Sequence, residues 1–552
     1  MGKKLLLILI ILISFTFGAC SKEHNHIYSS AVTNPTCIEQ GFTTNSCSCG
    51  YVEIIDYVEA LGHNYVNNVC IRCGIYDEET TSKLALSILN NMTLEQKLGQ
   101  MFMVSPDWTS YNDAMKSIKD YHFGNIIFMT PSVSDKTKIS SLSNSLQKQM
   151  IDYNGIAGFI SIDQEGGRVN RLSDGGTRFV SSMAIAATNN SLNAYNVGKA
   201  VGFELKNYGI NCDLTPVLDV NKNKDNPVID IRSYGDDPIK VTDFSTQMFL
   251  GLKSQNVLSC VKHFPGYGDT NLDSHVTLPI IDTSIDELKK SELLPYYSAI
   301  QNGVDAIMTG HIIYTAFDEN YPATLSKVIL QDLLRKELNY EGLIISDSIE
   351  MNAIKNYYGS FDKTSVMAVE AGVDILLYTG MNNAKNAYIG LQKAVIDGKI
   401  SIERINESVL RIIKMKLKYN VNDYIAPNKN IATELKEHSE LNQRIADNAL
   451  TLVKGEYKIS KEEKVLIVSS KTSYNPGYSS FSEYAKKCME KDGYTITSYN
   501  VSDNVNQEEY DHIMNMISEF DKVIIAMSNV KKFNYTNFKI FHIYTSFNII
   551  LY

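Results

Sequence analysis

Eight short apolar runs between residues 101 and 378 restrict this chain more than any other feature. They are MFMV (101–104), NIIFM (125–129), AGFISI (157–162), INCDL (210–214), NVLSCV (256–261), VDAIM (304–308), GLIIS (342–346) and VDILLY (373–378). Most are almost wholly apolar, as strands covered on both faces of a parallel sheet are. Stretches of helical period separate them, SSLSNSLQKQMIDYN and DELKKSELLPYYSAIQN among them. NGVDAIMTG and AGVDILLYTG read as one repeated helix-to-strand turn. Eight such units predict an α/β fold closed into a (β/α)8 TIM barrel. An open doubly wound sheet is the competing topology.

A chain of 552 residues is too long for one ordinary domain. The barrel is expected over 85–420, a small Cys/His module over 21–78, and a connector with a partial α/β sandwich domain over 421–552. Residues 1–20 differ from all of these. MGKKLLLILIILISFTFGAC has a basic start, an apolar run from Leu5 to Phe17, then small residues before Cys20. That is the layout of a secretion signal, and its ending is similar to a bacterial lipobox with Phe17 where leucine is commoner. Cys20 is then the lipidation site, and the protein is expected to be an extracytoplasmic, membrane-anchored lipoprotein at the bacterial cell surface. An uncleaved apolar anchor is the alternative. A net charge of −10 argues against nucleic acid as the main partner, because such binding needs a basic surface.

Six of the nine cysteines lie before residue 74. LGHNYVNNVCIRCG places His63 ahead of Cys70 and Cys73, and HNHIY…TCIEQGFTTNSCSCG echoes it with His24, His26, Cys47 and Cys49. The two stretches resemble a small Cys/His repeat of secreted bacterial proteins. Cys-x-x-Cys with a nearby histidine offers sulfur and nitrogen ligands to a structural zinc. Outside the cell disulfides compete for the same thiols, so zinc and disulfides both remain open.

In a barrel, chemistry collects where the strands end. Just past the runs stand Asp163 (third), Lys262 and His263 (fifth), His311 (sixth) and Asp347 (seventh). Pro265, Gly266 and Gly268 then break regular structure and predict a mobile loop bearing Asp273 and His275. Two residues apart, a carboxylate can orient an imidazole and raise its basicity, the logic of an acid/base histidine. Cys212 and Cys260, inside strands, read as buried small hydrophobes.

KHFPGYGDTNLDSH resembles the KHFPGHG…DSH signature of glycoside hydrolase family 3 β-N-acetylglucosaminidases. The likeness covers about residues 85–420, with MTLEQKLGQMF, DQEGGRVNRL, DLTPVLDV, IRSYGDDP and SDSIEM in the family's order. Tyr267 departs from it, standing where the second histidine of PGHG is common. The resemblance implies a retaining exo-acting glycosidase that removes terminal β-linked N-acetylglucosamine, with no cofactor and no active-site metal. Position by position it implies Asp347 as nucleophile, His275 as acid/base and Asp273 as its partner. It also implies substrate contacts from Asp163, Arg171, Arg232, Lys262 and His263. Glu165 and Glu350 stand beside these residues without an assigned role.

Retention needs a carboxylate nucleophile on one face and a proton donor at the leaving oxygen. Histidine, with an ordinary pKa of about 6.5, serves as either acid or base near neutrality. The implied partner is an amino-sugar oligosaccharide or muropeptide, from peptidoglycan fragments. Three alternatives stand beside this reading: an N-acetylglucosaminide phosphorylase, a family 3 β-glucosidase, and a carbohydrate-binding lipoprotein without activity. In the tail, VNDYIAPNKNIATELKEHSE reads as a polar connector, and ALTLVKG, KVLIVSS and KVIIAMS as strands of the second domain. NVKKFNYTNFKIFHIYTSFNIILY shows no recognisable continuation, which fits a truncated or frame-shifted end or an unusual authentic tail.

Overall fold

The computed structural model describes residues 26–37, 39–66, 69–72, 77–106, 111–172, 174–422, 425–427, 429–451, 458–471, 480–502, 506–526 and 549–551. The signal stretch with Cys20, and also His24, Cys73 and most of the final tail, lie outside the described residues.

All eight apolar runs contain a strand. The strands are Phe102–Val104, Asn125–Phe128, Phe159–Ile162, Cys212–Asp213, Leu258–Phe264, Ala306–Thr309, Leu343–Ser346 and Leu376–Tyr378, and every pairing among them is parallel. Neighbours in sequence are neighbours in the sheet, and the eighth strand returns to the first through Leu376↔Phe102 and Tyr378↔Val104. The seventh and eighth meet at the bridge Ile345↔Ile375, where the Ser346 amide donates to the Ile375 carbonyl (2.9 Å). The sheet is therefore a closed ring, and the open doubly wound alternative falls away.

The ring forms because its strands bury both faces. Phe159, Ile160 and Ile162 are wholly inaccessible, as are Leu343, Ile344 and Ile345. Each such side chain contributes about 1.5–3 kcal/mol relative to exposure. Helices return the chain between strands, among them Lys136–Asn154, Leu192–Asn207, Pro238–Ser254 and Phe361–Ala371. The Leu192–Asn207 and Pro238–Ser254 helices touch through glycine: a Cβ on Gly198 would stand 2.3 Å from the Met248 carbonyl oxygen. At the end opposite the strand C-termini, the fully buried Lys416 donates to Gln100 Oε1 (2.5 Å) and to the Gly124 carbonyl (2.9 Å). Ahead of the barrel, Leu94–Gln100 starts on a reciprocal cap between Thr93 and Gln96, which satisfies two end donors.

The stretch expected as a polar connector runs into the helix Ala432–Ala449. It docks on the barrel, with His438 Nδ1 2.7 Å from Glu204 Oε1 and Asn442 Oδ1 accepting from the Val180 amide (2.9 Å). Ile445 is its one buried side chain among the described residues, so an almost wholly polar sequence hides its period. Beyond it, strands Thr495–Val501, Lys464–Ser470, Lys522–Ala526 and Ile549–Leu551 lie side by side in parallel, in that order. Helices Phe481–Lys491 and Gln507–Ile517 pack on its opposite faces. KVLIVSS and KVIIAMS thus form strands as expected, whereas most of ALTLVKG lies outside the described residues.

Ahead of the barrel, Tyr28–Thr33, Gly41–Cys47 and Val52–Val58 make a three-stranded antiparallel sheet. A short hairpin, Tyr65–Val66 with Val69–Cys70, follows. No helix among the described residues is long and apolar enough to cross a membrane.

Candidate active site

Closing the ring points all eight strand C-termini at one mouth. A cavity of about 500 Å³ opens there, lined among others by Asp163, Arg171, Arg232, Lys262, His263, His275 and Asp347. Asp163 directly follows the third strand and Asp347 the seventh. The fifth strand runs on to Phe264, so Lys262 and His263 belong to its last turn of pleat rather than to the loop beyond it.

Four charges lock the floor, Glu165 and Lys262 buried and Asp163 and Arg232 partly so. Lys262 Nζ lies 2.7 Å from Asp163 Oδ1 and 2.8 Å from Glu165 Oε1. Glu165 also grips Arg232 bidentately, its two oxygens each 2.8 Å from Nε and Nη2. Burial on its own would raise the Glu165 carboxyl, but Arg232 and Lys262 outweigh it and hold that carboxyl well below the usual carboxylate range. Burial would likewise lower Lys262, and Asp163 with Glu165 more than reverses that. Two cations thus face two carboxylates, and the set is neutral as a whole. Arg171 reaches Asp163 only loosely (3.9 Å), and its buried Nε meets no acceptor among the described residues.

Asp347 is partly exposed to the cavity, and its Oδ1 accepts from the Ser348 amide (2.7 Å). Burial pulls its pKa upward, but the imidazoles of His263 and His311, the Ser348 amide and Lys262 together hold it below the ordinary value. It is therefore an ionised carboxylate with a free face. His263 is fixed from behind: Asp219 Oδ2 accepts from its Nδ1 (2.7 Å), and Asp219 Oδ1 takes the amides of His263 (3.2 Å) and Tyr267 (2.8 Å). His311 is buried, with Nδ1 at Thr324 Oγ1 (2.8 Å) and Nε2 at the Ser348 carbonyl (2.9 Å), and burial lowers its pKa. Its Nε2–H, donating to that carbonyl, braces the turn that carries Asp347.

The loop to His275 is strapped down over its first half, contrary to the mobility its glycines and proline predict. Residues 261–268 are buried. A Cβ on Gly268 would stand 1.7 Å from the Val220 carbonyl oxygen, so only glycine admits that approach. Tyr267, the departure from the usual histidine, ties the loop to itself: its hydroxyl donates to the Leu272 carbonyl (3.0 Å) and accepts from the Ser274 amide (2.6 Å). Asn352, beyond the seventh strand, donates to the His275 carbonyl (2.9 Å). The imidazole itself stays exposed, with Nδ1 2.7 Å from Asp273 Oδ1, the pairing expected from Asp-x-His. Its Nε2 is left for exchange with a ligand.

Reading the sequence misses Asp219 as the partner of His263, although it lies in the quoted DLTPVLDV and just past the fourth strand. Glu165 is the charge that joins Arg232 to Lys262. Glu350 ties two loops together, accepting from the amides of Thr379 (2.6 Å) and Gly380 (2.7 Å) and from Asn383. Cys212 and Cys260 are wholly buried, and burial pushes both thiols up, as inert packing residues require.

Comparison with known proteins agrees with this fold. The family model described as the glycosyl hydrolase family 3 N terminal domain matches residues 93–415. Beta-hexosaminidase A of Pseudoalteromonas piscicida is 33% identical over 375 residues, 64% of this chain. The chain spans 62% of that relative's length. Beta-hexosaminidase LpqI of Mycobacterium tuberculosis is 30% identical over 331 residues, covering 58% of this chain and 82% of the relative. Among solved structures, a glycoside hydrolase family 3 beta-N-acetylglucosaminidase from Paenibacillus sp. str. FPU-7 superposes with a TM-score of 0.77 at 33% identity. That match covers 83% of this chain and 90% of the other.

Glu165→Gln should leave Lys262 and Arg232 facing one carboxylate fewer. Removing one partner of a buried ion set costs about 3–5 kcal/mol, so a clear fall in the thermal and denaturant unfolding midpoints is expected. A change within about 0.5 kcal/mol, the range of an ordinary surface substitution, would show that the network does not hold the floor.

Proposed function

Because the chain belongs to glycosyl hydrolase family 3, we propose that it is a retaining, exo-acting β-N-acetylglucosaminidase that removes terminal β-linked N-acetylglucosamine. The observation that carries this reading is the meeting of Asp347 and His275 at one cavity. An ionised carboxylate and a carboxylate-paired imidazole arrive there on separate loops, above a polar floor suited to hydroxyl groups. The names of the relatives and the Paenibacillus structure support the substrate class.

In the first step an Asp347 oxygen attacks the anomeric carbon, the glycosidic bond breaks, and His275 gives a proton to the departing oxygen. In the second, His275 takes a proton from water, the water oxygen bonds to the anomeric carbon, and Asp347 leaves as a carboxylate. Asp273 orients the imidazole. Asp163, Arg171, Arg232, Lys262 and His263 hold the sugar, since guanidinium and carboxylate groups each bridge neighbouring hydroxyls. Asp219 keeps His263 in place, and Glu165 keeps Arg232 and Lys262 apart at fixed spacing. The natural source is peptidoglycan fragments at the bacterial surface, where Cys20 anchors the mature lipoprotein.

His275→Ala separates a proton carrier from a structural residue. Cleavage of a β-linked N-acetylglucosamine disaccharide, whose alkoxide leaves poorly, should fall by about 10²–10⁴-fold. The glycosylation step with a nitrophenyl N-acetylglucosaminide, whose phenolate leaves readily, should fall much less. Equal losses on both substrates would refute the assignment.

For the anchor, Cys20→Ala should move the protein out of the membrane fraction or leave it as unprocessed precursor. Unchanged membrane association of a processed protein would contradict lipidation at Cys20.

A further inference from the structure

The module ahead of the barrel has almost nothing to fold around. Among its described residues, 26–37, 39–66 and 69–72, the buried side chains are Cys37, Asn45, Cys47 and Cys70. The strand Tyr28–Thr33 is exposed along its whole length. Val52, Ile54, Tyr57 and Val58 also stand open to solvent. A unit of this size without an apolar core needs another constraint, either a cross-link or a metal.

Three donors converge where that constraint would act. Cys37 lies in the turn between the first two strands of the sheet, whereas His63 stands just before the following hairpin and Cys70 ends it. Their ligand atoms all lie within 4.8 Å of one another. The Cys37 and Cys70 sulfurs are 3.7 Å apart. A disulfide needs about 2.05 Å. Two thiolates on one tetrahedral zinc, each at about 2.3 Å, lie about 3.8 Å apart. The observed spacing is the second of these. The Asn64 amide also donates to Cys70 Sγ (3.3 Å), as outer hydrogen bonds to metal-bound thiolates do.

We propose that Cys37, His63 and Cys70 bind a zinc ion that braces the three-stranded sheet against the hairpin. Two thiolates and an imidazole are a soft donor set that selects zinc over calcium or magnesium. They fill three corners of a tetrahedron and leave the fourth for water or a further donor. This arrangement differs from the sequence reading, in which His63 served only its own repeat: Cys37 crosses over from the other copy. His26, Cys47 and Cys49, of which Cys47 is buried, form a separate cluster and are not part of the site. The zinc lies outside the catalytic cavity and does not depend on the glycosidase assignment.

Peptide-resolved alkylation of the full-length native chain, purified with zinc present, tests this without any substitution. Cys37 and Cys70 should resist alkylation, and both should become reactive once a strong chelator is added, with no reductant. In parallel, elemental analysis of Cys37→Ser/Cys70→Ser should read one zinc per chain fewer than the parent. Activity on an aryl N-acetylglucosaminide reports that the barrel is intact. A Cys37–Cys70 disulfide that opens only on reduction, or alkylation unaffected by chelator, would overturn the proposal.

Discussion

Closure of the eight parallel strands is the constraint on which everything else at the mouth depends. The single bridge between Ile345 and Ile375, with the register Leu376↔Phe102, turns a sheet that would otherwise have two edges into a ring. Residues far apart in sequence are thereby brought within hydrogen-bond distance: Asp163 and Lys262 are 99 positions apart, yet 2.7 Å apart in space. The ring also crowds charge. Lys262 and Glu165 tolerate burial only because they, Arg232 and Asp163 neutralise one another, and that mutual dependence fixes the spacing of the groups that line the cavity. Asp347 is kept anionic chiefly by His263 and His311, with the Ser348 amide and Lys262 adding to them.

Around this rigid floor the two groups assigned to chemistry are held differently. Asp347 sits on a short turn braced by Ser348 and His311. His275 sits at the end of a loop whose first half is buried and whose second half is clipped by Tyr267 and Asn352. The loop is thus held at both ends, with the imidazole exposed between them. Replacing the usual histidine by Tyr267 costs no catalytic group, and its hydroxyl supplies two hydrogen bonds inside the loop.

Much of this was legible in the sequence, for physical reasons that differ by element. Strands buried on both faces must be apolar throughout, so the eight runs announce themselves, even where the fourth strand is only Cys212–Asp213. Charges at strand ends are conspicuous because the strands themselves carry so few, which exposed Asp163, Lys262, His263 and Asp347. What stayed hidden was pairing. Asp219 obeys the same strand-end rule, but nothing local says that it meets His263 across 44 positions. Glu165 shows its function only once Arg232 and Lys262 are in place on both sides of it. The Ala432–Ala449 helix escaped because its contact stripe, Leu435, His438, Asn442 and Ile445, mixes apolar and polar residues. Cys37 drew no ligand role because spacing within each repeat suggests local ligands, while folding brings the turn to the hairpin.

The central claim is that Asp347 becomes covalently attached to the sugar. It is tested most directly by incubating the protein with an N-acetylglucosaminyl fluoride whose ring fluorine slows breakdown of the glycosyl-enzyme, followed by peptide mass mapping. The account predicts one sugar adduct per chain, on the Asp347 side chain, and no adduct in Asp347→Asn. A stable adduct on another residue, or turnover of the fluoride by Asp347→Asn at the parent rate, would contradict it.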